Sequence, residues 1–365
     1  MYVTIPAEEV GAKIVEWYSC IIARSVDQAV LLHTEIKEML KRMEPSDRML
    51  AYYSLVEYRF TLMRDQTTDE TTGDKMLEHV GITVEKSIDH MLHYLYYFVS
   101  GQHEFSHERY RSAVKLFRKA ERLLEYVNDE AEEAEFHYFM GVSLHQINQY
   151  VFAASYLEDA ILIFEKLHYK ERTITCYTIL AAIFSETGNF ERADELLKSN
   201  LKQAANFSFS RLAIIRMLGI NSFRKKDYNS AIHYYDVVLN DNEYGDKLIG
   251  VKAKYSLART LYSIGDINNV RRLVEEAKTG ATYFENQEYI LRCKILEALM
   301  TKEINTIRLN QLLNKLKSLN LYYATEELAE ELSVLFKEKG SHIIAYDFLK
   351  EAYQAKQLNI SLGVE

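Results

Sequence analysis

The chain is predicted to be all-α, with an N-terminal three-helix bundle followed by a long array of helix hairpins. Three observations carry that prediction. Small residues recur at a nearly constant stride, Gly101, Gly141, Ala181, Gly219 and Ala258, at intervals of 40, 40, 38 and 39. A second set, Ala113, Ala153, Ala193, Ala231 and Val270, follows each of these by 12 residues. Only two prolines, Pro6 and Pro45, occur in 365 residues, so little interrupts long helices.

The frame has a physical reading. Two antiparallel helices lie close only where the facing residues are small, so Gly or Ala marks each crossing point. Three positions before the second set stands a bulky residue, Tyr110, Tyr150, Phe190, Tyr228 or Ile267, expected to plug the gap between one hairpin and the next. A third small set, Ala120, Ala160 and Ala277, trails by seven, and the frame returns at Ser333, Ala345 and Ala352. No single hairpin can bury its apolar face, so stacking supplies the core. Twenty-seven tyrosines suit helix seams, and they also suit a groove that grips a peptide.

Taken in order, Pro6 can open a first helix with the stripe Val10, Ile14, Trp17, Tyr18 and Ile21. Ser25 can cap a second helix running to Met43 and carrying Ala29, Leu32, Ile36 and Leu40. Pro45 forces a break, and Ser46 or Asp47 caps a third helix with Leu50, Tyr53, Leu55, Tyr58, Phe60 and Leu62. Residues 65–74 (DQTTDETTGD) read as a linker, and a fourth helix is expected from about Lys75. The domains are therefore drawn as a bundle over 1–66, a linker with helix over 67–87, and an array over 88–365. About seven hairpins are expected, near 88–126, 131–168, 171–207, 210–242, 247–282, 287–320 and 323–358, the sixth being the least regular.

Composition narrows the function. Cys20, Cys176 and Cys293 share no metal spacing and suit reduced thiols of a cytoplasmic protein. No apolar run reaches the length of a membrane span, and residues 1–22 lack a signal-peptide pattern. A net charge of −9 disfavours a duplex-binding surface, although a local basic patch stays open. His137, His145 and His168 do not form a helical ligand pair, and no Gly-rich phosphate loop or nucleophile elbow occurs. Residues 129–135 (DEAEEAE) read as a solvated face. The residues by themselves describe a binding scaffold, with no metal site and no cofactor.

The N-terminal stretch carries a resemblance. Ile5-Pro6, Val10-Gly11-x-Lys13-Ile14-x-Glu16-Trp17-Tyr18, Met43-Glu44, Tyr52-Tyr53-Ser54-Leu55 and Glu57-Tyr58-Arg59 closely resemble the Rap family of Bacillus and relatives. Glu132-x-Ala134-Glu135-Phe136 extends the match. The resemblance implies a three-helix bundle, a linker and a tetratricopeptide-repeat superhelical array. It also implies a function: binding response regulators of sporulation and competence, under control of re-imported Phr pentapeptides held on the concave face. Some members hydrolyse a phospho-aspartate on the receiver domain; others occupy a DNA-binding domain without chemistry. Any Mg²⁺ would belong to the receiver.

Departures from the family matter as much. Phosphatase members carry a glutamine in the loop after Met43-Glu44, where a carboxamide can orient a water for in-line attack. The aligned position here is Asp47, with no Gln or Asn between Met43 and Tyr52. A carboxylate brought to about 4 Å from like charge costs roughly 1 to 4 kcal/mol, so weakened phosphatase activity is expected. Asp47 could alternatively act as a general base or simply cap the third helix. The resemblance assigns partner contacts to Glu44, Leu50 and Tyr58 and to Asp129 and Glu132, with bundle core as the competing role for Leu50 and Tyr58.

For the peptide, an acid is retained as Glu186, while Met217 stands where the family has a peptide-binding asparagine. Asn221, one turn on, is a substitute; Arg211 and Arg216 could hold a peptide carboxylate or be solvated. A weakened or altered peptide response follows. Two other functions stay open: stoichiometric sequestration of a regulator's DNA-binding domain, and a peptide-gated transcription factor. The second is disfavoured by the acidic excess in residues 1–70 and by a Trp17 helix unlike a recognition helix.

Overall fold

The computed structural model describes residues 4–64 and 70–361, and within them every regular element is helical. The helices are α1 (Ala7–Ile22), α2 (Val26–Leu40), α3 (Asp47–Met63), α4 (Glu70–Glu85), α5 (His90–Ser106), α6 (Tyr110–Glu121), α7 (Glu130–Gln146), α8 (Tyr150–Lys166) and α9 (Lys170–Glu186). They continue as α10 (Phe190–Gln203), α11 (Ser208–Arg224), α12 (Tyr228–Leu239), α13 (Leu248–Ser263), α14 (Ile267–Tyr283), α15 (Gln287–Leu299), α16 (Thr306–Ser318), α17 (Tyr322–Glu338) and α18 (His342–Ser361). Two compact units result. Unit 1 holds Met1–Leu144 and Val151–Tyr169; unit 2 holds His145–Tyr150 and Lys170–Glu365. Among the described residues no helix is long and apolar enough to cross a membrane.

Unit 1 is organised around α3. Its apolar residues point in nearly all directions, which suits a helix covered on several sides. Tyr53, Leu55, Val56, Tyr58 and Phe60 are all buried. The expected α1 stripe of Val10, Ile14, Trp17, Tyr18 and Ile21 is buried as well. Trp17 is fully enclosed, with ring centroids 5.0 Å from His33, 5.9 Å from Tyr53 and 5.3 Å from Phe60. On α2, Met39 rather than Leu40 completes the buried face.

Some local expectations are corrected. Ser25 occupies the N-cap of α2, but its side chain makes no capping bond. Pro6 is the N-cap of α1, with Ala7 its first helical residue. The fourth helix begins at Glu70, not Lys75, so Thr71 to Asp74 of the expected linker are helical; residues 65–69 lie outside the described ones. Close packing overrides weak local propensity here: a Cβ on Gly73 would lie 2.7 Å from the His103 ring, so only glycine allows the approach.

The hairpins follow the small-residue frame. A Cβ on Gly101 would lie 2.4 Å from Phe117, one on Gly141 2.9 Å from Leu157, and one on Gly219 2.6 Å from Tyr235. Ala113, Ala153, Ala181, Ala193, Ala231, Ala258 and Val270 are fully buried. The Ser333 hydroxyl donates to the Ala345 carbonyl at 2.8 Å, tying the last hairpin at its crossing. The bulky residues past the turns were expected to plug gaps between hairpins. Tyr110, Tyr150 and Tyr228 stack on Phe105, His145 and Phe223 of their own hairpins, with centroids 5.4, 6.0 and 5.8 Å apart, and Tyr150 also interacts with Glu186 of the following hairpin.

Turns share one device: a residue in the left-handed region followed by an amide that reaches back five positions, as in a Schellman cap. Gly188, Gly265 and Gly340 supply it without strain, at φ 82°, 84° and 75°. Glu108, Lys226, Glu285 and Asn320 do so with side chains, at φ 60°, 63°, 53° and 61°. The bonds include Asn189 N to Phe184 O at 2.8 Å and Asp227 N to Ser222 O at 2.9 Å. The irregular sixth hairpin has a six-residue turn, 300–305, capped where Asn305 accepts the Arg308 amide at 3.0 Å.

Candidate functional site

In unit 1 the chain before α3 is pinned from outside. The Ile5 amide donates to the Arg42 carbonyl at 2.8 Å, and the Glu44 amide donates to the Ile5 carbonyl at 2.9 Å. That parallel bridge holds Glu44 and Asp47 at the surface, where both are exposed. The Ser46 hydroxyl accepts the Met49 amide at 3.2 Å, so Ser46 is the cap and Asp47 the first helical residue. A capping role for Asp47 is thereby corrected. Among the described residues Asp47 makes no hydrogen bond or ion pair, and its carboxylate sits at the positive end of α3.

Leu50, one turn on, is 47% exposed, which places it outside the bundle core. Arg48 pairs with Asp89 at 2.6 Å, and the Tyr52 hydroxyl donates to the same carboxylate at 2.9 Å. The Asp47–Leu50 edge is thus a rigid polar and apolar rim.

The other residues assigned to the partner surface lie elsewhere. Tyr58 is buried, its hydroxyl 2.5 Å from His103 Nδ1, and His103 Nε2 is 2.9 Å from Asp74. This bond order suits a hydroxyl donating to Nδ1 and an Nε2–H donating to the carboxylate. Burial and the neighbouring His107 lower the His103 pKa, against the pull of Asp74. The Asp129 carboxylate accepts the Ala131 and Glu132 amides at 2.8 and 3.1 Å, capping α7.

Glu132 is completely buried. It accepts two bonds from the Arg59 guanidinium, at 3.2 and 2.9 Å, and one from the Tyr94 hydroxyl at 2.9 Å. Glu135 lies 3.7 Å from the same guanidinium, which stacks over Tyr18 at 4.5 Å and Phe98 at 5.0 Å. Burial drives the Glu132 pKa up; Arg59 and Tyr94 oppose it. Arg59 therefore ties α3 to α7. An arginine between Tyr58 and Phe60 on a largely apolar helix is the sequence signal that points to its burial.

In unit 2, Glu186 accepts from His145 at 2.7 Å and lies 3.4 Å from an Arg224 nitrogen. Against the cost of desolvation, the interactions with His145 and Arg224 hold its carboxyl below the usual range. Met217 packs in a core with Ile174, Leu197, Ile214 and Leu218. Asn221 is fully buried and donates to the Phe190 carbonyl at 2.9 Å and to Asp194 at 2.7 Å. Both residues face the seam against α9 and α10, so neither presents a group to a ligand in this arrangement. The resemblance placed them on the first helix of the fourth hairpin, but it could not give the direction in which that helix faces.

An ionic network runs along the first helices of these hairpins. Arg224 donates to Ser185 at 3.1 Å, Arg259 to Glu327 at 3.3 Å and also to Glu331, and Arg292 to Glu327 and Glu288 at 2.7 Å each. The three arginines hold the Glu327 carboxyl far below its ordinary range against its burial. Asn148 donates to Glu326 at 2.6 Å, so the start of the unit touches α17. Among the described residues no group of His, Cys, Asp or Glu could hold a metal ion. Among the described residues Cys20, Cys176 and Cys293 form no disulfide. The arrangement offers paired charges suited to charged ligands.

Repeated helix hairpins behind a small bundle, with a charged face along the first helices, define a tetratricopeptide-type binding scaffold. The family model described as response regulator aspartate phosphatase H, N terminal, matches residues 4–65. Response regulator aspartate phosphatase H of Bacillus subtilis (strain 168) is 25% identical over 362 residues, covering 97% of this chain and 96% of that protein. The crystal structure of a Rap protein complexed with competence and sporulation factor is 26% identical and superposes with a TM-score of 0.91, covering 97% of this chain and 99% of that one. A Rhodococcus hoagii protein named type II methyltransferase M.CeqI is 36% identical over 366 residues, 99% of this chain and 70% of that protein. The all-helical fold matches the Rap structure along its whole length. The chain belongs to the Rap family of response regulator aspartate phosphatases.

Proposed function

We propose that this protein is a peptide-controlled Rap-type regulator of response-regulator signalling. The observation that carries the reading is the full-length likeness to a Rap protein in complex with its signalling peptide. A response regulator is gripped by unit 1, at the rim formed by Glu44, Asp47 and Leu50, with Asp129 beside the start of α7. Glu132 and Tyr58 act one layer deeper, by fixing the helices that present this rim. A Phr-type peptide is taken by unit 2. The setting is cytoplasmic, since both the regulator and the re-imported peptide act there, and Mg²⁺ enters only with the receiver.

Asp47 decides the chemistry. Its carboxylate is exposed and unengaged among the described residues, because Ser46 takes the cap. Entering a receiver's acidic pocket, it adds negative charge beside the phosphoryl group and offers no amide to orient water. Docking persists and hydrolysis weakens. The lifetime of a phosphorylated receiver, followed with this protein at one-tenth of its concentration, tests this directly. Unchanged lifetime is expected, and rapid catalytic loss of phosphate overturns it.

The same free carboxylate favours a second reading, non-enzymatic sequestration of a regulator's DNA-binding domain. An acidic rim suits a basic DNA-reading surface. Release of a promoter by the regulator only at stoichiometric amounts of this protein would separate sequestration from turnover.

A further inference from the structure

We propose that the groove between α5 and α6 of unit 1 docks an acidic segment of a protein partner, one that carries carboxylates beside an apolar side chain. None of Glu44, Asp47, Leu50 or Asp129 lines this groove, so it is a surface additional to the rim and does not rest on the reading of that rim.

The groove is open and measures about 710 Å³. His90, His93 and Tyr97, one helical stripe, line it from α5; Lys119, Arg122 and Leu123 line it from the end of α6, and Ser87 and Ile88 from the turn before α5. Neither Asp nor Glu is among its lining residues, a local reversal of sign in a chain of net charge −9. The nearby acids are already engaged. Glu121 pairs with Arg118 at 3.2 Å and accepts from the Tyr156 hydroxyl, and Asp89 is held by Arg48, the Tyr52 hydroxyl and two backbone amides. The cations are not. Among the described residues neither the Arg122 guanidinium nor Lys119 Nζ makes a hydrogen bond or ion pair, and Nζ lies over the Tyr97 ring at 5.3 Å.

A second observation falls at the same place. Ile88 is 96% exposed, more than any other large apolar side chain among the described residues. Its turn is braced: the Ser87 amide donates to the Val84 carbonyl at 2.9 Å, the Asp89 amide donates to the Ser87 hydroxyl at 3.1 Å, and His93 Nε2 is 2.9 Å from the Ser87 carbonyl. A braced turn that holds an isoleucine away from its own chain presents an apolar tip. Beyond it a second hollow of about 530 Å³ shares Ser87, Ile88 and His90 with the groove and adds Tyr126, which is stacked on His90 at 4.2 Å. Cations without counter-charges, flat rings and an apolar tip together match a peptide in which carboxylates alternate with apolar side chains. The guanidinium takes a carboxylate through two parallel bonds, and an aliphatic side chain of the ligand covers Ile88. A nucleic-acid strand would use the same cations and rings but leave Ile88 uncovered, and its affinity grows with the number of phosphates neutralised, here limited to the reach of Lys119 and Arg122.

The test uses the full chain and fluorescein-labelled probes followed by anisotropy. The probes are a decapeptide alternating Glu and Leu, one alternating Gln and Leu, one alternating Glu and Ser, and a single-stranded oligothymidylate of matched charge. The Glu–Leu peptide is expected to bind tightest, with a loss of about tenfold or more when Glu becomes Gln. Lys119→Glu combined with Arg122→Glu should weaken it by about a hundredfold through charge reversal. Ile88→Ser should weaken the Glu–Leu peptide by about tenfold and leave the Glu–Ser peptide unchanged, a split that charge attraction alone does not produce. All three positions are exposed, so the variants keep the fold, and circular dichroism checks that. Lys350→Glu makes a like charge change on the exposed face of α18 and should leave binding as it is. Binding that survives the double reversal, or that Lys350→Glu weakens as much, overturns the proposal. So does a wild-type protein that ignores the Glu–Leu peptide, and so does tighter binding of the oligothymidylate than of any peptide. Each of these results leaves the reading of the rim untouched.

Discussion

In unit 1 the Arg59 guanidinium is 4% exposed and clamped by Glu132, whereas in unit 2 the Arg224 guanidinium is 24% exposed beside Glu186. Both are arginine–glutamate pairs that join separate helices, yet they do different work. A fully desolvated pair cannot lose one partner without stranding the other, so it behaves as a fixed joint. A half-solvated pair exchanges readily for water or ligand, so it suits a surface that must change partners. The contrast teaches that burial, not residue identity, separates a fixed charge pair from an exchangeable one in this protein. Arg292 is the exception in unit 2: with Glu288 and Glu327 it forms a second buried joint, between α15 and α17.

The largest expected effect tests the contrast itself. Arg59→Ala or Glu132→Ala should lower unfolding free energy by about 3–5 kcal/mol, while Arg224→Ala should cost about 1 kcal/mol or less. Denaturant melts of the three variants check it, and equal losses would erase the distinction. Replacing both members, as in Arg59→Leu with Glu132→Leu, should recover much of the loss.

Next in size is the unit 1 rim. Asp47→Gln should raise catalytic loss of receiver phosphate by about a hundredfold if positioning of water is what the chain lacks. Assays with excess phospho-receiver measure it; no gain would mean that more than one group is missing. The hairpin crossings should respond alike in both units. Gly101→Ala and Gly219→Ala each force a methyl into an aromatic ring and should cost about 1–3 kcal/mol by thermal melting.

A smaller effect concerns pH. His103 and His137 in unit 1 both have folded-state pKa values below 6.5, chiefly from burial. For His103 the groups facing it are Tyr58, Asp74, His107 and Arg109. A lowered histidine pKa means the unfolded chain binds more protons, so stability is full above 6.5 and falls as pH drops through the folded value. Melts from pH 7.5 to 5 should show that slope, and His103→Gln should flatten part of it. The smallest effect is a gain: Lys226→Gly and Glu285→Gly relieve left-handed strain and should each stabilise by about 1 kcal/mol. A loss in either would show that its side chain contributes more than its backbone conformation costs.

Much of this architecture was legible in advance because its signals are local. The stride of Gly101, Gly141 and Gly219 marks crossings at which a Cβ has no room, and that constraint acts on single residues. The α1 stripe was equally readable, since one helix with one covered face repeats at a helical period. The site was less legible. Tyr58 and Glu132 carry the polar atoms of a surface residue, and they are enclosed by helices distant in sequence, Tyr58 against His103 of α5 and Glu132 against Arg59 of α3 and Tyr94 of α5. Met217 and Asn221 were assigned to the groove by the family resemblance, and the packing of α11 against α9 and α10 buries both in that seam.

The amino-acid order alone determined the helices, their pairing and the acid in the first turn of α3, because propensity, capping and small-residue contacts operate within a few tens of residues. Which charges are sealed and which stay exchangeable was decided only by tertiary structure. Desolvation depends on every neighbour at once, and Arg59 and Arg224 look alike until their surroundings are in place.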